Sequence, residues 1–584
     1  MPVATLVIVA LLVVSMTVAQ TGVTASHPVG RFGLMSNHVA PATMRITFEV
    51  VLKPRDEAAL IASAFARAGA RPGTYLSPAQ FGLRWAPPPA AVDLVTDYFQ
   101  DYGLSTAARW PGGLVLPVSG TVAQASSALG VHFDVARLSN GRVVVVADRY
   151  PKLPNALSDE IVGVTGLFAN GYFPVTPKVV GTNVRSSCSD LLRANSPHLG
   201  YSPASVARYY HLPRFDRARP VTVGVAEFAD VDTARTTPLG RSIETDAHCL
   251  GVGVHLQVQR VNGGSTNTSH RHLEEAALDI ETLLSDAPGV HLIVYTASSG
   301  DADALYLRMV SKDQASVLLT TWGSCEADTP AQQLRIEQIA FAQAALQGQT
   351  VIAASGDDGS SDCLATDGGD RLAVDDPASQ PLVTAVGGEQ FVTPLGPDAR
   401  PAVYNSAIYA GASGGGVSSF FGAPPYQHQV EGELRRQVGR LCPLKGGCRL
   451  VPDVAMIAVG ARIDVPETGW SLLGGTSLAA SVFAAGVADV ESAVGTRLGL
   501  LNPWLYRLDA DGQVFHPVRR GGNDFRHLHP GDFRATGSYS LATGLGTPNF
   551  ADLLRALGQR LDPPPASWVR TRDDFHLREL TDAS

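Results

Sequence analysis

In Glu274-Glu275-Ala276-Ala277-Leu278-Asp279, Glu275 and Asp279 stand four residues apart. On a helix both carboxylates then project from one face and can touch. Like charges at that spacing are mildly destabilising, so the pair is costly unless it is used; the alternative for this segment alone is two solvated acids on a surface helix. Glu274 and Glu281 fall off that face and are expected at the surface. In Leu473-Gly474-Gly475-Thr476-Ser477-Leu478, a glycine turn delivers Ser477 to the start of a small-residue helix running towards Val494. A hydroxyl there lies at the positive end of the helix dipole beside unpaired backbone N–H groups, as an acyl-transfer nucleophile requires. Plain N-capping by the serine or threonine fits the same residues. Asp357 follows a strand-like run, at the carboxyl end where open α/β sheets place their sites, or closes an Asx turn. Gly411-Ala412-Ser413-Gly414-Gly415 satisfies the nucleophile-elbow pattern, which needs a helix after the serine. Here more glycine and then Pro424-Pro425 follow, so no helix starts promptly.

The elements that must carry these residues alternate. Strand-like Val221 to Phe228 precedes a helical stretch at Leu273 to Leu284, and strand-like Val290 to Tyr295 precedes a helix at Asp303 to Met309. Strand-like Ser316 to Thr321 is followed by a helix at Ala331 to Leu346 ending at Gly348, then by strand-like Thr350 to Ala354. That rhythm predicts an α/β fold with a doubly wound, mostly parallel sheet. Before it, Met44 to Phe168 reads as an α+β unit, with a strand at Arg45 to Leu52, a helix at Asp56 to Ala68 and a β-rich run at Gly141 to Ala147. Residues 169–198 have no clear period and contain Pro174, Pro177 and Gly181, the composition of an exposed, protease-sensitive linker. After Arg560 the chain runs into Pro563-Pro564-Pro565 and reads as a tail, 561–584.

Forty-five Lys+Arg against 54 Asp+Glu give a net charge of −9, which argues against a nucleic-acid partner. With 17% charged and 45% hydrophobic residues, the chain suits large buried cores and excludes global disorder. The apolar run from Val3 to Val14 has signal-peptide length, so 1–20 is expected to be a secretory signal. No later run looks long and apolar enough to be a stable membrane span once that segment is removed. Six cysteines suit an oxidising compartment and allow 15 connectivities. The expected pairing is Cys188 with Cys249, Cys325 with Cys363, and Cys442 with Cys448.

Taken together the segments resemble the sedolisin family of serine-carboxyl peptidases, and most of all its tripeptidyl-peptidase I type. Tyr75-Leu76-Ser77-Pro78-Ala79-Gln80-Phe81 and Val118-Ser119-Gly120-Thr121-Val122-Ala123-Gln124 look like the family's activation prodomain. Thr321-Trp322-Gly323, Thr384-Ala385-Val386-Gly387-Gly388, Pro452-Asp453-Val454 and Gly544-Leu545-Gly546-Thr547-Pro548-Asn549 look like its peptidase domain, in the family's order. The resemblance implies a subtilisin-like fold with a prodomain at 30–170, a processing linker at 171–198 and a peptidase domain at 199–560. It further implies a proenzyme whose prodomain acts as an intramolecular inhibitor, and an acid-acting peptidase on peptides or proteins, secreted or lysosomal. A tripeptidyl peptidase, an endopeptidase of the same family and a catalytically inactive peptide-binding homologue all fit it.

Carried over residue by residue, Ser477 resembles the nucleophile, Glu275 the general base, Asp279 the acid that orients Glu275 and shares a proton with it, and Asp357 the oxyanion-hole acid. A histidine base is charged and useless in acid, whereas a carboxylate raised by a like-charged neighbour still accepts the serine proton. The His-Gly dipeptide of ordinary subtilisins is absent from the chain, which argues against a Ser-His-Asp triad. Three departures stand out. The proline usual four residues after the serine is Ser481, and the serine common after the oxyanion acid is Asp358. The family also binds one Ca²⁺ near its C-terminus: Asp524 and Phe525 match the first ligands, but the second aspartate position is Ser540. Asp532 is the candidate substitute. Fewer carboxylates weaken a site for a hard cation.

Overall fold

The computed structural model describes residues 37–67, 74–137, 143–167, 173–174, 188–213, 215, 218–364, 369–510, 512, 514–528 and 533–560. The signal segment, most of the linker, the C-terminal tail and Asp532 lie outside them.

Strand β1 (Arg45–Leu52) buries its last five residues because it is central in an antiparallel sheet. Helix α1 (Glu57–Arg67) follows it, and strands β2 (Val115–Thr121) and β3 (Ile161–Thr165) flank it. The two prodomain-like motifs are helix starts. Ser77 with Gln80, and Thr121 with Gln124, each form a reciprocal capping box that satisfies orphan backbone N–H groups.

Beyond the short strand β4 (Phe173–Pro174) the α/β unit begins with β5 (Thr222–Glu227), α2 (Pro238–Leu250), β6 (His255–Arg260), α3 (His270–Asp286) and β7 (His291–Thr296). It continues with α4 (Ala302–Lys312), β8 (Val317–Thr320), β9 (Trp322–Cys325), α5 (Ala331–Gln347), β10 (Thr350–Ala354), β11 (Thr384–Phe391), β12 (Val454–Ile457) and α6 (Thr476–Val494). The main sheet runs β6-β7-β5-β8-β10-β11, all parallel, with β12 also parallel to β11. An antiparallel edge strand, Pro401–Val403, completes it. Val225 faces Val294 on one side and Leu319 on the other. The chain therefore winds outward from β5 in both directions, and the strand order reverses between β5 and β8. A ligand crevice belongs at that point, beyond the carboxyl ends of the strands.

Helix α6 is mostly apolar and buried over nearly its whole length. By length and composition it could cross a membrane, contrary to the sequence expectation of no such run. Its packing against the sheet and α3 makes it a core helix instead. All three disulfides form in the expected pairing.

The N-terminal unit docks on the α4–α5 face: Leu60, Phe81 and Trp85 share one apolar core with Ile336 and Phe341. Arg335 donates to both Glu57 carboxylate oxygens at 2.7 and 2.5 Å, and Leu76 N–H donates to the Leu346 carbonyl at 2.9 Å. Strand β4 pairs antiparallel with β9, placing Pro174 opposite Trp322 and Phe173 opposite Gly323.

Candidate active site

The strand order puts three polar residues at the switch point: Glu227 ends β5, Thr321 follows β8, and Asp357 stands three residues beyond β10. Helices α3 and α6 cross beside them with Glu275, Asp279 and Ser477, all fully buried. The expected quartet of Ser477, Glu275, Asp279 and Asp357 is thus gathered in one place.

Ser477 is the second residue of α6, entered through Gly475 at φ 130°. A side chain at Gly475 would be strained there, and its Cβ would stand 2.5 Å from Asp357 Oδ2, so the turn demands glycine. Asp357 is tied to the helix start, its Oδ1 accepting the Thr476 N–H at 2.7 Å, while Thr476 Oγ1 donates to the Gly356 carbonyl at 3.1 Å. Asp357 thus caps the helix bearing the serine.

Asp279 accepts a hydroxyl on each oxygen, Ser481 Oγ on Oδ1 at 2.7 Å and Thr321 Oγ1 on Oδ2 at 2.8 Å. Burial pushes its pKa up to about 7, against the pull of Ser481, Thr321 and Glu227. Glu275 is driven well above the carboxylate range, first by burial and then by the charge of Asp279. The Ser477 and Thr321 hydroxyls lie close enough to favour its charged form, but neither meets hydrogen-bond geometry. Glu227 accepts the Trp322 indole N–H at 3.0 Å and is raised by burial and by Asp279 and Glu275. His272, one turn before Glu275, holds its ring 4.9 Å from that of Trp322, and burial lowers its pKa to about 4. Such a cluster can take a proton from a buried hydroxyl and hold it among carboxyls, with an acid poised at the helix start for an oxyanion.

Glu274 and Glu281 are not surface acids. Both are buried, because α3 packs against α2, α6 and the strand Ala461–Val465 and so has almost no free face. Glu281 accepts Ser242 Oγ at 2.6 Å and the Asp464 N–H at 2.8 Å. Glu227, Thr321 and Ser481 escaped the sequence reading as site residues. For Glu227 the signal was a carboxylate ending an otherwise apolar strand, Val221 to Phe228. Ser413 in the elbow-like segment leads into the strand Gly416–Gly422, not a helix, and donates to the Ala542 carbonyl at 2.7 Å.

The described residues leave the implied Ca²⁺ site one carboxylate short. Ser540 offers no carboxylate, its Oγ is 2.9 Å from Thr543 Oγ1, and its backbone pairs both ways with Gly544 at 2.9 and 3.0 Å. Among the described residues, the one cluster of three His, Cys, Asp or Glu ligands is Cys325, Asp328 and Cys363, whose sulfurs form a disulfide.

Comparison with known proteins bears on the same regions. The family described as "Pro-kumamolisin, activation domain" matches residues 33–169. Kumamolisin of Bacillus sp. (strain MN-32) is 31% identical over 61% of this chain and 63% of its own length, so the chain spans a little under two thirds of it. Tripeptidyl-peptidase 1 of Mus musculus is 28% identical over 48% of this chain and 51% of its own. Among solved structures, Pseudomonas sedolisin, a serine-carboxyl proteinase complexed with two molecules of pseudo-iodotyrostatin, aligns with TM-score 0.54 and 25% identity over 63% of this chain and 99% of that one.

Proposed function

The chain belongs to the sedolisin family, and from that premise we propose that it is an acid-acting serine-carboxyl peptidase made as a proenzyme. The observation that carries the reading is the buried meeting of Ser477 with Glu275, Asp279 and Asp357 at the switch point of the sheet. Ser477 Oγ attacks the scissile carbonyl as Glu275 takes its proton, and the oxyanion accepts a hydrogen bond from protonated Asp357. The C–N bond then breaks as Glu275 returns the proton to the leaving amine. Water attacks the acyl-enzyme by the same route in reverse, with Glu275 as base and Ser477 as leaving group. Asp279 holds Glu275 and takes up part of its charge.

The N-terminal unit serves as the intramolecular inhibitor. Support comes from its docking on α4–α5 and from β4, which lies along β9 as an extended peptide would, beside the Trp322 that contacts Glu227. Processing falls within 171–198, with a mature start near Leu199; a cut ahead of Cys188 releases the unit, whereas a cut near Leu199 alone leaves it tied through the Cys188–Cys249 disulfide. Export to the cell exterior or an acidic compartment fits the three disulfides. Within the family the reading is a tripeptidyl peptidase, supported by the likeness to tripeptidyl-peptidase 1.

The test is digestion of an unstructured protein by acid-incubated material across pH 3 to 7, with products read by mass spectrometry. Three-residue steps from the N-terminus, lost in Ser477→Ala, are expected. Internal cuts would replace the exopeptidase reading with an endopeptidase one. Full activity in Ser477→Ala would overturn the mechanism.

A further inference from the structure

We propose that Ser481 is a positioning residue of the carboxyl pair, its buried hydroxyl holding Asp279 as the member that keeps the negative charge. The inference rests on the peptidase reading above. Ser481 lies one helical turn beyond Ser477 and is fully buried. A serine inside a helix ordinarily donates back to the carbonyl four residues earlier, which here belongs to Ser477. This one instead reaches across to α3 and meets Asp279 Oδ1 at 2.7 Å. With Thr321 on Oδ2, Asp279 has one hydroxyl on each oxygen, and a carboxylate accepts on both. The proline that the family resemblance implies at this position has neither a hydroxyl nor an N–H to offer.

The groups facing Asp279 come from every element around it. They are Glu275 on its own helix, Glu227 at the end of β5, Thr321 after β8, and Ser481 on α6; Ser477 and Asp357 act on Glu275. What favours charge on Asp279 is the two hydroxyls and Glu227, and no cation is among them. Ser481 thus supplies what a nearby lysine or arginine would supply elsewhere: it lets the pair release a proton at lower pH, so that Glu275, passing its own proton to charged Asp279 as it accepts that of Ser477, serves as base further into acid. Removing the hydroxyl raises the pKa of Asp279 and keeps the pair doubly protonated to higher pH.

Two measurements decide it. In the pH profile of kcat/KM for the activated enzyme, Ser481→Ala and Ser481→Pro are expected to move the acid limb up by about one pH unit, a roughly tenfold loss at pH 4. Ser481→Thr, which restores the hydroxyl, is expected to return the limb towards the wild type. A limb that stays in place in Ser481→Ala would overturn the proposal. The second measurement uses the full chain carrying Ser477→Ala, so that no turnover is needed. There the drop in Tm caused by adding Ser481→Ala is expected to grow between pH 4 and pH 8, because charged Asp279 loses more by the missing donor than the neutral acid does. A drop of constant size would reduce Ser481 to packing. This arm reads the same whether or not the chain cuts peptides, so an inactive wild type would defeat the function and leave the role of Ser481 decidable.

Discussion

Asp453 and Asp279 are both fully buried aspartates beside the same sheet, in opposite surroundings. Asp453 accepts from Arg449 Nη1 and Nη2 at 2.6 Å each, from the Ala385 N–H and Tyr506 OH at 2.8 Å, and from Asn502 Nδ2 at 3.2 Å. Asp279 has two hydroxyls and a neighbouring carboxyl, and Glu275 beside it has less. The first carboxylate meets a matched guanidinium and a full set of donors. The second is kept where gain and loss of a proton are close in energy. A buried acid is structural when its partners are complete and chemical when they are left short, because an incomplete donor set is what lifts the pKa out of the ordinary carboxylate range.

Exchanging carboxylate for amide in each place breaks the comparison in opposite ways. Glu275→Gln is expected to lose on the order of a thousandfold or more in turnover, the range of a positioned general base, while the fold at pH 7 is at least as stable. Asp453→Asn leaves Arg449 buried without its counter-charge and is expected to lower stability by roughly 3 to 5 kcal/mol, read from the denaturant midpoint. Its peptidase activity well below that midpoint should stay near the wild type. If Asp453→Asn were the one to abolish turnover in folded protein, the division between structural and chemical acids would be wrong.

The same contrast sets the pH dependence of stability. Burial raises Asp279 to about 7, Asp246 and Asp286 to about 8, and Asp489 to about 9. Asp246 Oδ2, Asp286 Oδ1 and Asp489 Oδ1 are buried without hydrogen-bond partners. For an acid raised in this way, the stabilisation is complete below its unfolded pKa near 4 and is lost as pH climbs through the folded value. The full chain carrying Ser477→Ala is therefore expected to melt several degrees lower at pH 8 than at pH 4. Asp286→Asn and Asp489→Asn should each flatten that slope. A melting temperature that rises over this interval would show that the salt-bridged acids, not these, dominate.

Much of this was legible in the sequence. Thr350–Ala354 and Arg45–Leu52 form strands over the residues expected, and the helix expected to end at Gly348 does so, with that glycine at φ 78°. Local patterns settle such elements, since apolar runs and glycine caps carry their own stop signals. The Glu275–Asp279 face was readable from its four-residue spacing. The burial of Glu281 was not, because it depends on Ser242 and the Asp464 amide arriving from distant segments. Arg449 and Asp453 sit four apart as well, yet the donors completing Asp453 come from residues 385, 502 and 506, which no local pattern foretells. Ser481 stood out in the sequence as a departure from the family's proline, but its part was hidden, since its bond to Asp279 depends on α3 packing against α6.

The smallest expected effect concerns the C-terminal segment, where the family resemblance implies a cation and the described residues supply hydrogen bonds. A Ca²⁺ ion needs about six oxygens at 2.3 to 2.6 Å and favours carboxylates. Around Ser540 the turn is closed instead by the Ser540–Gly544 backbone pair and the Ser540–Thr543 hydroxyl contact. An ion that binds only the folded state raises stability in proportion to its occupancy, so one held here would show as a Tm that responds to the metal. Millimolar Ca²⁺ against EDTA is expected to leave the Tm of the full chain within about 1 °C. Restoring a carboxylate by Ser540→Asp should then introduce a calcium-dependent rise. A rise of several degrees in the wild type would mean that this segment gathers a charged donor set after all, and would place Asp524 with the acids whose partners are complete.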